Sequence, residues 1–135
     1  MSGIASRIPG PADLRAATWT LRELADLRRR LDEEGADARI AAPPELPAGA
    51  VRAVKTALKA RRASCLESSL VLQEWHLAHD RPLDLVIGVT APGADFHAHA
   101  WLEEEDPRPG EEFTEILRRP ARVASNTPSQ GGPRR

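Results

Sequence analysis

A chain of 135 residues with a formal net charge of −1 has room for one domain and lacks the basic excess of a nucleic-acid-binding protein. Hydrophobic residues make up 41% of it, which is ordinary for a soluble globular protein, and no apolar run approaches the roughly 18 to 20 residues of a membrane span. The N-terminus lacks the apolar stretch of a signal peptide, and one cysteine cannot form an internal disulfide, so we expect a cytoplasmic protein.

The first periodic segment, Pro11 to Glu33, predicts an amphipathic helix. Proline suits the first helical position because an N–H there would have no intrahelical partner. The apolar residues on one side of this helix are Leu14, Ala17, Leu21, Leu24, Leu27 and Leu31. The stretch from Gly35 to Pro47 contains three prolines, which break the helix and predict a linker.

Two more helices are expected before residue 80. One covers about residues 48–61 and has an apolar face made of Val51, Val54 and Leu58. The other begins at Cys65, because Ser64 is a favourable N-cap and Glu67, three positions later, completes a capping box. Its apolar stripe is predicted to run through Leu66, Leu70, Gln73 and Leu77.

Strands follow the helices. Leu83 to Val89 alternates with period two, the pattern of a half-buried strand. Ala91 to Asp95 has turn composition and Phe96 to Glu103 alternates again, so we predict an antiparallel hairpin. A short third strand is expected at Phe113, Ile116 and Leu117. From Arg119 onward the chain has no apolar period, which predicts a disordered tail.

Cys65 is the only cysteine, and its place at the predicted start of a helix favours a nucleophile. The free N–H groups and the positive end of the helix dipole in a first turn stabilise a thiolate, which is the attacking form of cysteine. The main-chain N–H of Cys65 is also a natural donor to the oxyanion of a tetrahedral intermediate. Free cysteines are more often small apolar core residues, so that interpretation stays open on pattern alone.

Two histidines, His97 and His99, lie on the second strand of the hairpin and share a face with Glu103. Alternation alone does not choose between them as a catalytic base. Two imidazoles at alternate strand positions, with a carboxylate nearby, also resemble a metal-ligating set, and a small metal-binding protein is therefore an alternative function. His76 and His79, three apart, are expected at the solvated C-terminal end of the Cys65 helix.

Three motifs carry a family resemblance: Ser64-Cys65-Leu66 with Ser69-Leu70-Val71-Leu72, then Leu85-Val86-Ile87-Gly88-Val89, then Phe96 followed by Ala98-His99-Ala100-Trp101-Leu102-Glu103. Over about residues 48–117 the chain resembles the transglutaminase-like leader peptidases of lasso-peptide biosynthesis, which include the C-terminal part of microcin J25-processing proteins. More narrowly, it is similar to the separate protease half of a split B protein. The resemblance departs after Cys-Leu, where the family often has an arginine and this chain has Glu67-Ser68.

The resemblance implies an α+β fold in which N-terminal helices pack on a small antiparallel sheet, the transglutaminase-like (papain-like) cysteine protease core. It implies Cys65 as the nucleophile and His99, which immediately precedes Ala-Trp, as the base. The third member of the triad falls about a dozen residues further on, at Glu111, with Glu112 and Asp106 as alternatives. No cofactor and no metal are implied.

The implied function is removal of the leader from a ribosomally made lasso-peptide precursor, which exposes the amine that a separate ATP-dependent cyclase joins to an acidic side chain. The expected partners are the precursor leader, a separate leader-binding protein and that cyclase, with no nucleic acid and no membrane. The Pro11 to Glu33 helix is the expected docking surface for the leader-binding protein, unless it only caps the core.

The expected organisation has three parts. Residues 1–46 hold the N-terminal helix and Pro-rich linker, residues 47–118 the protease core, and residues 119–135 the disordered tail. Besides the metal-binding protein, a non-catalytic binding module of the same fold is the alternative to a peptidase.

Overall fold

The computed structural model describes residues 10–35, 38–90, 97–105 and 113–121, which form three helices and a three-stranded antiparallel sheet. In chain order the elements are α1 (Pro11–Glu34), a 3₁₀ turn (Ala48–Ala50), α2 (Val51–Ala60), α3 (Cys65–Ala78), β1 (Leu85–Thr90), β2 (Ala98–Leu102) and β3 (Phe113–Arg119). The predicted α+β class is confirmed. No helix in the described residues combines the length and hydropathy needed to cross a membrane.

The N-terminal helix α1 begins at the predicted proline, Pro11, and the Asp13 carboxylate accepts the N–H of Gly10 at 3.2 Å. It ends at Gly35, whose φ of 60° is a conformation that residues with a side chain rarely adopt. The residues that α1 buries are Ala16, Trp19, Thr20, Glu23, Leu24 and Leu27. The predicted helix is confirmed, but its predicted apolar side is wrong in part, because only Leu24 and Leu27 of that side are buried and Leu14 is 61% exposed.

The central element is α3, in which every residue from Ser69 to His76 is buried. The predicted apolar stripe is therefore too narrow, because α1, α2 and the sheet all pack against this helix. Its Trp75 ring lies 5.9 Å, between centroids, from the Trp19 ring of α1. The Pro-rich stretch before α2 also reaches the core, through Ala38, Ile40 and Leu46.

The sheet has the strand order β2-β1-β3, and both pairings are antiparallel. The predicted hairpin of β1 with β2 is confirmed, with Ile87 opposite Ala100, while the turn predicted at residues 91–95 lies outside the described residues. The predicted third strand is confirmed as well, and it pairs with the other side of β1, with Ile87 opposite Leu117. Since β1 is central, β2 has a side that faces no other strand among the described residues.

Gly88 on β1 lies in close contact with the ring of Trp101 on β2. A Cβ atom at Gly88 would lie 3.0 Å from the Trp101 ring and 3.1 Å from the carbonyl oxygen of Thr114. Real Cβ atoms are rarely so close to another heavy atom. The glycine therefore leaves room for the ring of Trp101, two residues after His99 on β2, beside β1.

The tail was predicted to begin at Arg119, and that boundary is wrong. Arg119 is the last residue of β3, its guanidinium donates to the carbonyl oxygen of Ala38 at 2.8 Å, and its own carbonyl accepts from Gln73 Nε2 at 2.9 Å. These partners lie far away in the sequence, which explains why composition did not indicate an ordered residue. Residues 122–135 lie outside the described part of the chain.

Candidate active site

Cys65 is the first residue of α3, and the predicted capping box at this helix start is confirmed. Ser64 is the extended N-cap residue, and its Oγ accepts the Glu67 N–H at 3.1 Å. In return, the Glu67 carboxylate accepts the Ser64 N–H at 2.9 Å. Among the described residues no acceptor bonds to the N–H of Cys65, which leaves that donor free at the helix start.

The thiol of Cys65 is exposed and lies at the free side of β2. The backbone N–H of Ala100 donates to Cys65 Sγ, with 3.3 Å between the nitrogen and the sulfur. Since Ala100 directly follows His99, standard backbone dimensions place Sγ within about 6 Å of the His99 Cα atom. The fold thus brings the predicted nucleophile next to the backbone of the predicted base, from residues that are 34 positions apart.

The imidazole of His99 is half-buried and lies among aromatic rings. Its centroid is 5.9 Å from that of Trp101, with an interplanar angle of 22°, and 5.7 Å from that of Phe113 on β3. No hydrogen bond joins this imidazole to Cys65 Sγ in the described residues. Catalytic hydrogen bonds are often long in a free enzyme and tighten when substrate binds, so this arrangement is compatible with a thiol–imidazole pair.

The other histidine, His97, is exposed and lies just before β2. Its backbone N–H donates to Thr90 Oγ1 at 3.0 Å, which joins the two strands at the end where residues 91–96 connect them. Pattern alone did not separate the two histidines. Their surroundings differ, because His99 directly precedes the residue that contacts the thiol and His97 lies two residues further away.

The predicted acid, Glu111, and its alternatives, Glu112 and Asp106, lie outside the described residues. The assignment of the third triad member therefore stays a prediction.

The alternative metal set of His97, His99 and Glu103 does not come together. No group of three or more histidine, cysteine or acidic side chains in the described part of the chain could hold a metal ion. Glu103 instead pairs with Arg118, which also contacts Asp84 at 3.0 Å. These ion pairs give Glu103 a role in joining β3 to β2.

The prediction of a solvated C-terminal end for α3 is wrong for His76, which is only 5% exposed. Its Nδ1 lies 3.3 Å from Arg81 Nη1, and its Nε2 lies 3.7 Å from Glu105 Oε2 with no hydrogen-bond partner. Burial lowers the pKa of His76, an effect that the nearby Glu105 carboxylate opposes. His79 is half-buried, and its two ring nitrogens each lie 2.8 Å from a carbonyl oxygen, of Trp75 and Leu46.

The contact between α1 and the start of α3 has no signal in the local sequence pattern. The Arg28 guanidinium donates two hydrogen bonds to the Glu67 carboxylate, at 3.0 and 3.1 Å. It also donates to the carbonyl oxygen of Arg61 at 3.0 Å. The bond from Arg28 holds the pKa of the Glu67 carboxyl below its usual range. No local pattern indicates a pair of residues 39 positions apart.

Among known proteins, the chain matches one family model. No curated protein and no solved structure is significantly similar to the chain. A family model described as the transglutaminase-like superfamily matches residues 11–123, a stretch that includes α1, the cysteine helix and all three strands. A match of this extent, over a fold that brings a helix-start cysteine to a histidine strand, shows that the chain belongs to the transglutaminase-like superfamily.

Proposed function

We propose that this protein is a cysteine peptidase that removes the leader peptide from a ribosomally made lasso-peptide precursor. Membership of a superfamily whose members are often cysteine hydrolases supports the reaction class. The observation that carries the proposal is the 3.3 Å contact between Cys65 Sγ and the N–H of Ala100, the residue after His99. The substrate rests on the sequence motifs that resemble lasso leader peptidases.

The proposed reaction uses the thiol and the imidazole as a pair. Cys65 Sγ, as the thiolate, attacks the carbonyl carbon of the last leader residue, and His99 gives its proton to the leaving amine of the core peptide. The C–N bond breaks and the leader remains on sulfur as a thioester. His99 then takes a proton from water, whose oxygen attacks the thioester and releases the leader carboxylate. The free Cys65 N–H donates to the oxyanion in both steps, and Glu111 orients the imidazole.

The proposal includes a separate leader-binding protein that delivers the precursor, followed by an ATP-dependent cyclase that uses the exposed amine. Holding the leader beside the peptidase raises its effective concentration, typically to about millimolar. Cleavage by the peptidase alone should therefore be slow, and the leader-binding protein should accelerate it strongly.

A groove between α1 and α2 is the docking site that we propose for this partner. It encloses about 600 Å³ and is lined by apolar side chains that include Leu14, Ala17, Leu21, Ala53 and Ala57. Three charged side chains line the groove: the cationic Arg52 and Arg61 and the anionic Asp13. This charge fits an acidic, amphipathic segment of the leader-binding protein, with its apolar side in the groove.

The docking test uses two residues of equal exposure on different elements. Leu14 in the groove is 61% exposed and Ile116 on β3 is 60% exposed. Leu14→Glu should weaken the apparent affinity for the leader-binding protein by roughly tenfold or more, whereas Ile116→Glu should change it little. Leu24, also on the predicted apolar side of α1, is unsuitable for this test because it is only 2% exposed and belongs to the core. If Leu14→Glu leaves the affinity unchanged, the partner binds elsewhere.

Mass spectrometry of a precursor peptide tests the function itself. Incubated with the protein and its leader-binding partner, the precursor should yield free leader and a core peptide with a free amine. Added hydroxylamine or a primary amine separates hydrolysis from acyl transfer, because a transferase would attach the amine to the leader. An intact precursor after incubation with a folded protein and its partner would refute the peptidase and favour the non-catalytic binding module.

A further inference from the structure

We propose that Arg28 of α1 is a positioning residue for Cys65, because it holds the start of α3 and balances the charge of the Glu67 carboxylate beside the thiol. This inference rests on the proposed function, in which Cys65 acts as a nucleophile. It adds a role for the N-terminal helix that neither the motifs nor the family match assigns.

Arg28 makes hydrogen bonds to the chain both before and after Cys65. Its guanidinium contacts the chain on both sides of Cys65: the carbonyl oxygen of Arg61 four residues before, and both carboxylate oxygens of Glu67 two residues after. The pairing with Glu67 is bidentate, an arrangement that fixes direction as well as distance. Arg28 therefore ties the α2–α3 connection and the first turn of α3 to one side chain of α1.

The connection between α2 and α3, which Arg28 contacts, is a short turn with one residue at positive φ. In the α2–α3 connection Arg62 has a φ of 54°, which residues with a side chain adopt infrequently, and the N–H of Ala63 returns to the Leu58 carbonyl at 3.0 Å. Cys65 follows three residues after Arg62. A contact that keeps this connection in one conformation also keeps the thiol at the free side of β2.

Charge gives Arg28 its second effect. The Glu67 carboxylate is needed at the N3 position to close the capping box, yet an unpaired anion in the first turn would oppose ionisation of the nearby thiol. The guanidinium of Arg28 neutralises that anion while the carboxylate keeps its bond to the Ser64 N–H. Arg28 and Glu67 thus form a charge-balanced pair at this turn. The other charged residues next to it are Arg61 and Arg62, four and three residues before Cys65, and His99 is the titratable residue of β2 adjacent to the residue that contacts the thiol.

Two substitutions with opposite expected signs test this role. Arg28→Ala leaves the Glu67 anion uncompensated and should slow alkylation of Cys65 by iodoacetamide at pH 7 by roughly threefold, with the pH profile displaced upward. Glu67→Gln removes the anion and keeps the capping box, in which glutamine also serves, so it should accelerate alkylation by a similar factor. The double variant should return close to the wild-type rate and pH profile.

Arg29→Ala is the matched control, because Arg29 lies on the same helix and pairs with Asp26, away from α3. It should leave the alkylation profile unchanged. Circular dichroism and the melting temperature confirm that each variant is folded. Shifts of the same sign for Arg28→Ala and Glu67→Gln would overturn the charge-balancing effect of Arg28, because both variants lose the bidentate pair but only one leaves an uncompensated anion. An Arg29→Ala effect equal to that of Arg28→Ala would overturn the proposal as a whole. Because alkylation needs no substrate, these outcomes are independent of whether the precursor is cleaved.

Discussion

At the start of α3 several residues have both a structural and a chemical role. Glu67 closes the capping box and pairs with Arg28, and Ala100 packs in the core while its N–H bonds to the thiol. The position of Cys65 Sγ is therefore set largely by backbone groups. The imidazole of His99 is held instead by contacts with two aromatic rings.

The two histidines should differ sharply when each is replaced by alanine. His99→Ala removes the group that moves the proton in both steps and should lower kcat by at least about a hundredfold. His97→Ala removes an exposed side chain whose backbone bond to Thr90 remains, so kcat should change by less than about threefold. Single-turnover rates of precursor cleavage measure both. Equal losses that a divalent metal ion restores would support the metal-binding alternative.

Between elements, a partly exposed ion-pair cluster around the buried His76 joins α2, α3 and the turn that follows β2. Glu105 binds Arg81 at 3.0 Å and Lys55 of α2 at 3.4 Å, and its Oε2 lies 3.7 Å from His76 Nε2. Burial raises the pKa of the Glu105 carboxyl, but Arg81, His76 and Lys55 together outweigh that effect and lower it. At pH 7 the cluster should therefore be an anion bound by two cations with a neutral His76 beside it, and His76 acts on Glu105 as a charge only at lower pH.

This cluster predicts a pH dependence of stability. Because the folded state lowers the pKa of His76 from 6.5, chiefly by burial, the unfolded chain binds this proton more readily. The free energy of unfolding should consequently fall as the pH drops below about 6.5, by at most about 1.4 kcal/mol per pH unit for one proton. Urea unfolding at several values between pH 7 and pH 5 measures the slope.

His76→Gln should flatten that slope, since glutamine does not titrate. The exposed His97 offers the matched control, and His97→Gln should leave the slope as it is in the wild type. The carboxyl groups of Glu67 and Glu105, whose pKa values are lowered from 4.5, lose their stabilising effect only at lower pH and do not interfere in this window. A slope that is the same in His76→Gln and the wild type would contradict the assignment.

At the scale of the whole molecule, the features that could be predicted from the sequence are those that depend on residues close together in the chain. The capping box of Ser64 and Glu67 lies within four residues, and the alternation of β1 and β2 lies within single strands, so both were predictable. The motifs indicated Cys65 and His99, and the fold brings the Cys65 thiol to the backbone of Ala100, the residue after His99.

The features that sequence missed depend on contacts between distant residues. Arg28 meets Glu67 from 39 positions away, and Arg119 is ordered by Ala38, 81 positions away. His76 is buried because three other parts of the fold surround α3, which its own helical pattern does not reveal. The ordered core is therefore larger than local pattern indicates, and it includes the helix that carries Arg28.

Intact-mass spectrometry of the protein during a single turnover most directly tests the central claim that Cys65 forms a covalent intermediate. After acid quenching in the presence of precursor and leader-binding protein, we expect a transient species heavier by the acyl mass of the leader. Peptide mapping should locate it on Cys65, and Cys65→Ala, at a helix start that tolerates a small residue, should be folded and inactive. Cleavage by folded Cys65→Ala at the wild-type rate, or an adduct on another residue, would contradict the account.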